Sequence, residues 1–210
     1  MAWRIIPSRF PPVDLFRDVA PTKDWQYLND LEGRTNERLR AEAAPGGLIR
    51  AEDRLEGSSS HYILGPLSHP NLDGSRFSDG TFGVLYAALD FDTAVAEVKR
   101  TREAFLRSTS EPATRIDMRC IMLDVRGEFH ELRGAAGRQY RRVDKSRQLG
   151  CRLRDEGSWG IVFDSDARPG GTCIAVFRPP VLTNPRQERH FAFVWDGQRI
   201  TEMYEYSKAG

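Results

Sequence analysis

One segment of the sequence combines a loop, a strand and a helix: Gly74-Ser-Arg-Phe-Ser-Asp-Gly-Thr-Phe-Gly-Val-Leu-Tyr-Ala-Ala-Leu-Asp-Phe-Asp-Thr-Ala-Val-Ala-Glu97. Its glycine-rich loop carries Arg76, its apolar run at 84–88 contains Tyr86, and Glu97 falls in the helix that follows. A loop that leads into a buried strand and then a helix tends to bring its ends to one edge of a sheet, where clefts form. We therefore expect Arg76, Tyr86 and Glu97 to lie at a functional site.

The helix at 93–106 has one apolar face. The residues of that face are Ala94, Val95, Val98, Phe105 and Leu106. Glu97 lies on the flank of the face, where a carboxylate can reach the rim of a cleft while the helix stays packed.

Composition and charge restrict the class of protein. The chain has 210 residues, enough for one domain with a sizeable core, and we take residues 1–210 as a single domain. Lys and Arg number 31 against 30 Asp and Glu, a net charge of +1 that argues against direct binding to nucleic acid. No apolar run approaches a membrane span and the amino terminus has no signal region, so we expect a cytoplasmic protein without a membrane partner.

Metal and disulfide chemistry are not indicated by the sequence. Cys120, Cys151 and Cys173 are far apart, which fits buried thiols in a reducing compartment better than a disulfide frame or a zinc site. The four histidines show no metal spacing, and Asp164 and Asp166 are weak candidates for a cation because further ligands are missing. We therefore expect no metal.

The hydrophobic pattern predicts more strands than helices. Predicted strands lie at 2–6, 62–67, 84–88, 115–125, 128–132, 160–165, 173–177, 190–195 and 199–206, the last two joined by a hairpin turn. Predicted helices lie at 24–31, 35–40, 93–106 and 144–155, with a short helical turn at 15–19. Residues 44–60 have the composition of a loop, with a mobile lid as the alternative.

These elements favour an α+β domain with a mixed, mostly antiparallel sheet. A doubly wound parallel sheet is disfavoured because the alternation of strand and helix that it requires is missing. The glycines around Arg76 also do not match a dinucleotide fingerprint or a phosphate-binding P-loop, whose spacings are specific.

Each candidate residue also has an ordinary structural explanation. An arginine in a polar loop suits a carboxylate or a phosphate, but Arg76 could equally pair with Asp73 or Asp79 at the surface. Tyr86 could be a core tyrosine, and Glu97 a solvated helix residue. Two further candidates for phosphate contact, Arg4 and Arg9, flank the end of the first strand, though surface roles are at least as common for such arginines. Ser165 could be a turn hydroxyl, since it is not in a nucleophile elbow.

Five segments of the sequence form a recognisable set: Trp3-Arg-Ile-Ile-Pro-Ser-Arg-Phe-Pro-Pro, Gly74-Ser-Arg-Phe-Ser-Asp-Gly, Val84-Leu-Tyr-Ala-Ala, Thr93-Ala-Val-Ala-Glu97 and Gly160-Ile-Val-Phe-Asp-Ser165. Together they resemble the RES-domain toxins of Xre/RES toxin–antitoxin systems, and are most similar to the ParT-like branch of the ParST systems. Arg76, Tyr86, Glu97 and Ser165 match the family's arginine, tyrosine, glutamate and serine. Many members have a Tyr-Pro-Ser-type sequence where this chain has Phe163-Asp164-Ser165.

The resemblance implies a split mixed sheet with flanking helices, similar to ADP-ribosyltransferase toxins, and NAD as the substrate. Glu97 would stabilise the oxocarbenium-like ribose when the nicotinamide bond breaks. Tyr86 would stack on nicotinamide, Arg76 would neutralise a phosphate or orient the ribose, and Ser165 would hold the nicotinamide ribose or Glu97.

The resemblance also implies the partners. These are an antitoxin of the Xre or ParS type that blocks the NAD cleft, and a protein that accepts ADP-ribose, such as phosphoribosyl pyrophosphate synthetase. NAD phosphorolysis or hydrolysis by the same residues is the nearest alternative. A hypothesis of a different class is a non-catalytic binding module, which predicts that Glu97→Gln changes no phenotype.

Overall fold

A computed structural model describes residues 1–8, 49–53, 55 and 61–207. The strands are β1 (Ala2–Pro7), β2 (Leu85–Ala88), β3 (Thr114–Val125), β4 (His130–Leu132), β5 (Gly160–Asp164), β6 (Thr172–Val176), β7 (Leu182–Trp195) and β8 (Ile200–Glu205). The helices are α1 (His61–Ser68), α2 (Phe91–Ser108) and α3 (Val143–Asp155), with 3-10 turns at Ala51–Asp53, Arg138–Tyr140 and Pro179–Val181.

The strands form one eight-stranded sheet in the order β4-β5-β6-β2-β1-β3-β7-β8. Every pair is antiparallel except β4 with β5, which confirms the predicted α+β class and the mixed, mostly antiparallel sheet. The two halves of the sheet meet between β1 and β2, where Trp3 opposite Ala88 is the register pair.

Different helices pack against the two faces of the sheet. Alternation along β2 directs Tyr86 and Ala88 to one face and Leu85 and Ala87 to the other. The first face packs against α2 and α3, through residues that include Leu106, Leu149 and Leu153. The second face packs against α1 through Ile63 and Leu67. The segment that carries Arg76, Tyr86 and Glu97 is therefore anchored on the α2 and α3 side.

The helix predicted at 93–106 is α2, and Asp90 sets its start. One Asp90 carboxylate oxygen accepts the Thr93 N–H at 2.8 Å and the other accepts the Thr93 hydroxyl at 2.7 Å, an N-cap arrangement. The prediction that Phe105 faces inward is wrong, because its side chain is 51% exposed. The last turn of α2 instead presents Glu103 and Arg107 to Ile200 and Gln198, and this orientation turns Phe105 outward.

The strand predicted at 62–67 is also wrong, because these residues belong to α1. A short apolar run does not distinguish a strand from a buried helix by its period. Ile63 and Leu67, four residues apart, are both buried on one side of the helix. Pro66 has no N–H for the Tyr62 carbonyl, and that carbonyl accepts Arg4 Nη1 at 3.2 Å.

Other sequence predictions differ in their bounds or fall outside the described part of the chain. The helices predicted at 24–31 and 35–40 and the turn at 15–19 lie outside the described residues, as does most of 44–60. β7 begins at Leu182 rather than residue 190, because it pairs along nearly all of β3. Only His130–Leu132 of the strand predicted at 128–132 joins the sheet.

The thiols and the helices bear on the expectations of free cysteines and of no membrane span. Cys120, Cys151 and Cys173 are free, and burial raises the pKa of the Cys120 and Cys173 thiols to about 12. Among the helices of the described ranges, none is long and apolar enough to cross a membrane.

Candidate functional site

The loop that carries Arg76 is held on both sides of that residue. The Tyr86 hydroxyl accepts the Phe77 N–H at 3.0 Å and is hydrogen bonded to the Ser75 hydroxyl at 2.8 Å. Arg147 Nε donates to the Ser75 carbonyl at 2.9 Å. Tyr86 and Arg147 therefore fix the backbone immediately before and after Arg76. Burial raises the pKa of Tyr86, so its hydroxyl stays neutral at physiological pH.

Helix α3 packs directly on this loop at Gly150. A Cβ atom added at Gly150 would lie only 1.9 Å from the Phe77 carbonyl oxygen, so glycine is required for this approach. The approach brings Arg147, one turn earlier on α3, to the loop. The position of the Arg76 loop is thus set by β2 on one side and by α3 on the other.

Arg76 points across the sheet edge to the segment after β5. Its Nη1 lies 2.6 Å from Asp166 Oδ2, and its guanidinium lies over the Phe163 ring at 4.6 Å from the ring centre. The surface pairing with Asp73 or Asp79, considered from the sequence, is not formed. Arg76 is therefore held beside β5 by an ion pair and an aromatic ring, with 27% of its side chain exposed.

Glu97 is the hydrogen-bond acceptor at the centre of the site. Its Oε1 accepts the Ser165 hydroxyl at 2.7 Å, the Asp166 N–H at 2.9 Å and the Ala167 N–H at 3.2 Å. Its Oε2 accepts Arg100 Nη2 at 2.9 Å. Burial by itself raises the pKa of Glu97, but the bonds from Ser165, Arg100 and Ala167 outweigh burial and lower that pKa below its usual range. Glu97 is thus a half-buried carboxylate that remains ionised at neutral pH.

Ser165 organises the turn that faces Glu97. Its hydroxyl donates to Glu97 and also accepts the N–H groups of Ala167 at 3.1 Å and Arg168 at 3.0 Å. The Arg168 side chain donates to Asp90 and Thr93 at the start of α2. The turn after β5 is therefore tied to the first half of α2, which sets the distance between Ser165 and Glu97.

A cavity of about 360 Å³ opens beside these residues. Its lining contains four arginines and one carboxylate: Arg76, Arg100, Arg141, Arg147 and Asp166, together with Ser75, Val143 and Ser146. Glu97 does not itself line the cavity, but it is hydrogen bonded to two residues that do, Arg100 and Asp166. An excess of guanidinium groups around a concave site suits an anionic ligand, phosphate groups above all.

The structure brings together four of the six predicted site residues: Arg76, Tyr86, Glu97 and Ser165. Asp166 connects them, since its side chain binds Arg76 and its N–H binds Glu97. Arg4 is not part of this cluster. It donates to the Tyr62 carbonyl in α1, on the opposite face of the sheet from Tyr86. Arg9 lies outside the described residues.

Sequence reasoning missed the cavity arginines Arg100, Arg141 and Arg147. The only sequence signal for two of them is the high arginine content of the stretch 138–147. Such a stretch is ordinarily a solvated surface.

The two aspartates near Ser165 have other partners. Asp164 accepts the Gly134 N–H at 2.7 Å, and Asp166 pairs with Arg76. Among the described residues there is no group of three or more His, Cys, Asp or Glu that could hold a metal ion.

Fold and site together define an α+β domain with an ionised glutamate beside an arginine-lined cavity. The family model described as RES domain matches residues 50–196, and the chain belongs to this family. The uncharacterized protein y4oC of Sinorhizobium fredii is 35% identical over 99% of this chain and 88% of its own length. The chain is also similar to a chain in the crystal structure of the M. tuberculosis MbcT-MbcA toxin–antitoxin complex, at 17% identity and a TM-score of 0.43, with 60% of this chain and 74% of that chain covered.

Tyr86→Phe is expected to loosen the Arg76 loop without disturbing the core. The ring remains, but the Phe77 N–H loses its acceptor, at a cost of about 1 kcal/mol, which corresponds to about fivefold faster amide exchange at Phe77. Hydrogen exchange measures this directly. Tyr206→Phe is the control, because its hydroxyl binds Asp117 at an exposed position. Unchanged exchange at Phe77 would show that the hydroxyl does not hold the loop.

Proposed function

We propose that this chain is a cytoplasmic NAD-dependent enzyme that breaks the bond between nicotinamide and ribose and transfers ADP-ribose to a protein. The observation that carries the proposal is the Glu97 carboxylate, held ionised by Ser165 and two backbone N–H groups at the edge of an arginine-lined cavity. Membership of the RES domain family supports it.

The proposed reaction needs a negative charge beside the ribose. As nicotinamide departs with the bonding electrons, positive charge develops on the ribose carbon, and an ionised carboxylate stabilises that charge. Oε1 of Glu97 already accepts three hydrogen bonds. Oε2 is therefore the oxygen that would accept a ribose hydroxyl, and Ser165 would act by holding Glu97 in position.

The cavity would hold the diphosphate of NAD. Arg147 and Arg76 are both fixed by the Arg76 loop and its surroundings, so they would receive the phosphate groups without a large rearrangement. The tyrosine ring of Tyr86 is packed in the core and its hydroxyl serves the loop. Its stacking on nicotinamide, implied by the resemblance, stays a prediction.

The biological role that we propose is that of a toxin, neutralised by an antitoxin of the Xre or ParS type that covers the NAD site. The acceptor protein would be an enzyme of nucleotide synthesis such as phosphoribosyl pyrophosphate synthetase. This part of the proposal rests on the resemblance to ParT-like toxins.

NAD phosphorolysis is the second candidate function, and the arginines of the cavity favour it. A cavity that binds diphosphate could also bind inorganic phosphate next to the ribose carbon. Mass spectrometry of the products after incubation with NAD, phosphate and a cell extract separates the outcomes. Protein carrying ADP-ribose supports transfer, whereas ADP-ribose 1″-phosphate or free ADP-ribose as the sole product contradicts it.

Ser165→Ala should move the acid limb of the pH profile of NAD cleavage to higher pH. The Ser165 hydroxyl is the largest of the effects that lower the pKa of Glu97, so removing it raises that pKa and Glu97 protonates at a higher pH. The measurement is the initial rate of NAD cleavage from acid to neutral pH. An acid limb at the same pH in both proteins would contradict the assigned role of Ser165.

A further inference from the structure

Both carboxylate oxygens of Glu97 are occupied in this structure. Oε1 serves Ser165 and two backbone N–H groups, and Oε2 accepts Arg100 Nη2 at 2.9 Å. A ribose hydroxyl that approaches Oε2 therefore competes with the Arg100 guanidinium. A cation bound to Oε2 also reduces the negative charge available to an oxocarbenium-like ribose. Arg100 in this position opposes the reaction that Glu97 would perform.

Arg100 can reach the cavity without moving its helix. It is one of the cavity-lining residues and 55% of its side chain is exposed, so its guanidinium is not confined by packing. The ion pair joins residues three apart on one helix and its arginine is more than half exposed, so solvent weakens it. A guanidinium on a phosphate is stronger, because two parallel hydrogen bonds are formed to a group of higher charge.

Two of the other three cavity arginines are held differently. Arg76 is paired with Asp166 and lies over Phe163, and Arg147 donates to the backbone carbonyls of Ser75 and Asp73. These contacts are made to the fixed parts of the site. An anion placed between Arg76 and Arg147 would thus attract Arg100 and the exposed Arg141, and of these two Arg100 is the one that would leave Glu97.

We infer that Arg100 leaves Glu97 and binds the diphosphate of the substrate when that diphosphate enters the cavity. Oε2 of Glu97 then becomes available to the ribose. The inference rests on the proposed function, because it assumes a diphosphate-containing substrate cleaved beside Glu97. It predicts that the enzyme distinguishes NAD from nicotinamide riboside, which contains the same scissile bond without phosphates. With nicotinamide riboside, Arg100 stays on Glu97 and cleavage is slow.

The kinetic test uses Arg100→Met, with Arg107→Met as the matched control. Arg107 forms a similar ion pair on the same helix, at 2.8 Å from Glu103 and with 53% of its side chain exposed. Arg100→Met should lower kcat/KM for NAD by about tenfold or more, because a charge-assisted bond to phosphate is lost. It should raise cleavage of nicotinamide riboside about two- to fivefold, because Oε2 is freed from a weak ion pair. Arg107→Met should change neither.

The opposite changes in the cleavage of NAD and of nicotinamide riboside distinguish the inferred role of Arg100 from simpler roles. A purely structural role would lower both activities, and a direct phosphate contact alone would lower only the activity on NAD. Either result would overturn the inference. Added inorganic pyrophosphate should stimulate cleavage of nicotinamide riboside by the wild type and not by Arg100→Met.

A second test does not depend on catalysis. A crystal structure of the wild-type protein soaked with inorganic pyrophosphate should show the anion in the cavity with the Arg100 guanidinium on it and no longer within 4 Å of Glu97 Oε2. Pyrophosphate bound while Arg100 remains on Glu97, or no pyrophosphate in the cavity, would overturn the inference. Failure of the proposed function gives a different result, in which neither NAD nor nicotinamide riboside is cleaved by any of the proteins.

Discussion

Replacing Glu97 by Gln should lower the rate of NAD cleavage about 10³-fold, which is the typical effect of removing a group that stabilises transition-state charge. Gln keeps an oxygen that can accept the Ser165 hydroxyl and the backbone N–H groups, so the turn after β5 should stay in place. The negative charge, however, is lost. The expected loss in the free energy of unfolding is only about 1–2 kcal/mol, measured at neutral pH by urea denaturation.

The control for this variant is Glu103→Gln on the same helix. Glu103 likewise pairs with an arginine of its own helix, Arg107, and accepts the Ile200 N–H, but it is not among the residues that line the cavity. NAD cleavage by Glu103→Gln should match the wild type. Equal activity in Glu97→Gln and Glu103→Gln would instead favour the non-catalytic binding module.

The stability contributed by ionised Glu97 should decrease as the pH falls. Its pKa is lower in the folded protein than in the unfolded chain, so the contribution is fully present above the unfolded pKa. It is lost as the pH falls through the folded pKa. The difference in the free energy of unfolding between the wild type and Glu97→Gln should therefore become smaller in acid.

Asp53→Ala should lower the free energy of unfolding by about 3–5 kcal/mol, the usual cost of breaking a buried ion pair from one side. Asp53 is 1% exposed and receives two hydrogen bonds of 2.8 Å from the Arg178 guanidinium, which also lies 4.4 Å from the centre of the Trp159 ring. Removing the carboxylate leaves the Arg178 charge buried without its partner. Arg154 adds to this cost, since burial and Arg50 lower its pKa while Asp53 raises it.

Urea denaturation of Asp53→Ala beside Glu131→Gln provides the measurement. Glu131 pairs with Arg133, but about half of each side chain is exposed, so its loss should cost less than about 1 kcal/mol. A similar loss in the free energy of unfolding in the two variants would show that the buried Asp53–Arg178 ion pair contributes no more stability than the exposed Glu131–Arg133 pair.

The parts of the site that were predictable from sequence lie close together along the chain. Arg76, Tyr86 and Glu97 belong to one loop, strand and helix, and local signals such as the Asp90 cap define those elements. Ser165 was assigned by resemblance to a family motif. Its contact with Glu97 joins positions 68 residues apart, and no periodicity encodes such a contact.

The cavity arginine Arg147 could not be predicted for a related reason. Arg147 reaches the Arg76 loop because Gly150 allows α3 to approach Phe77, and this packing between distant segments leaves no local pattern. The error at α1 has a different cause. The run at 62–67 is apolar on all sides and contains Pro66, features that fit a buried helix and a buried strand alike.

The most direct measurement is the release of nicotinamide from NAD by the purified wild-type protein, free of any antitoxin and supplied with a cell extract. Proton NMR follows NAD and nicotinamide in the same sample. We predict that nicotinamide appears in an amount equal to the NAD lost, and that Glu97→Gln releases almost none. Intact NAD beside folded wild-type protein would contradict the central claim that Glu97 and the arginine-lined cavity form an NAD-cleaving site.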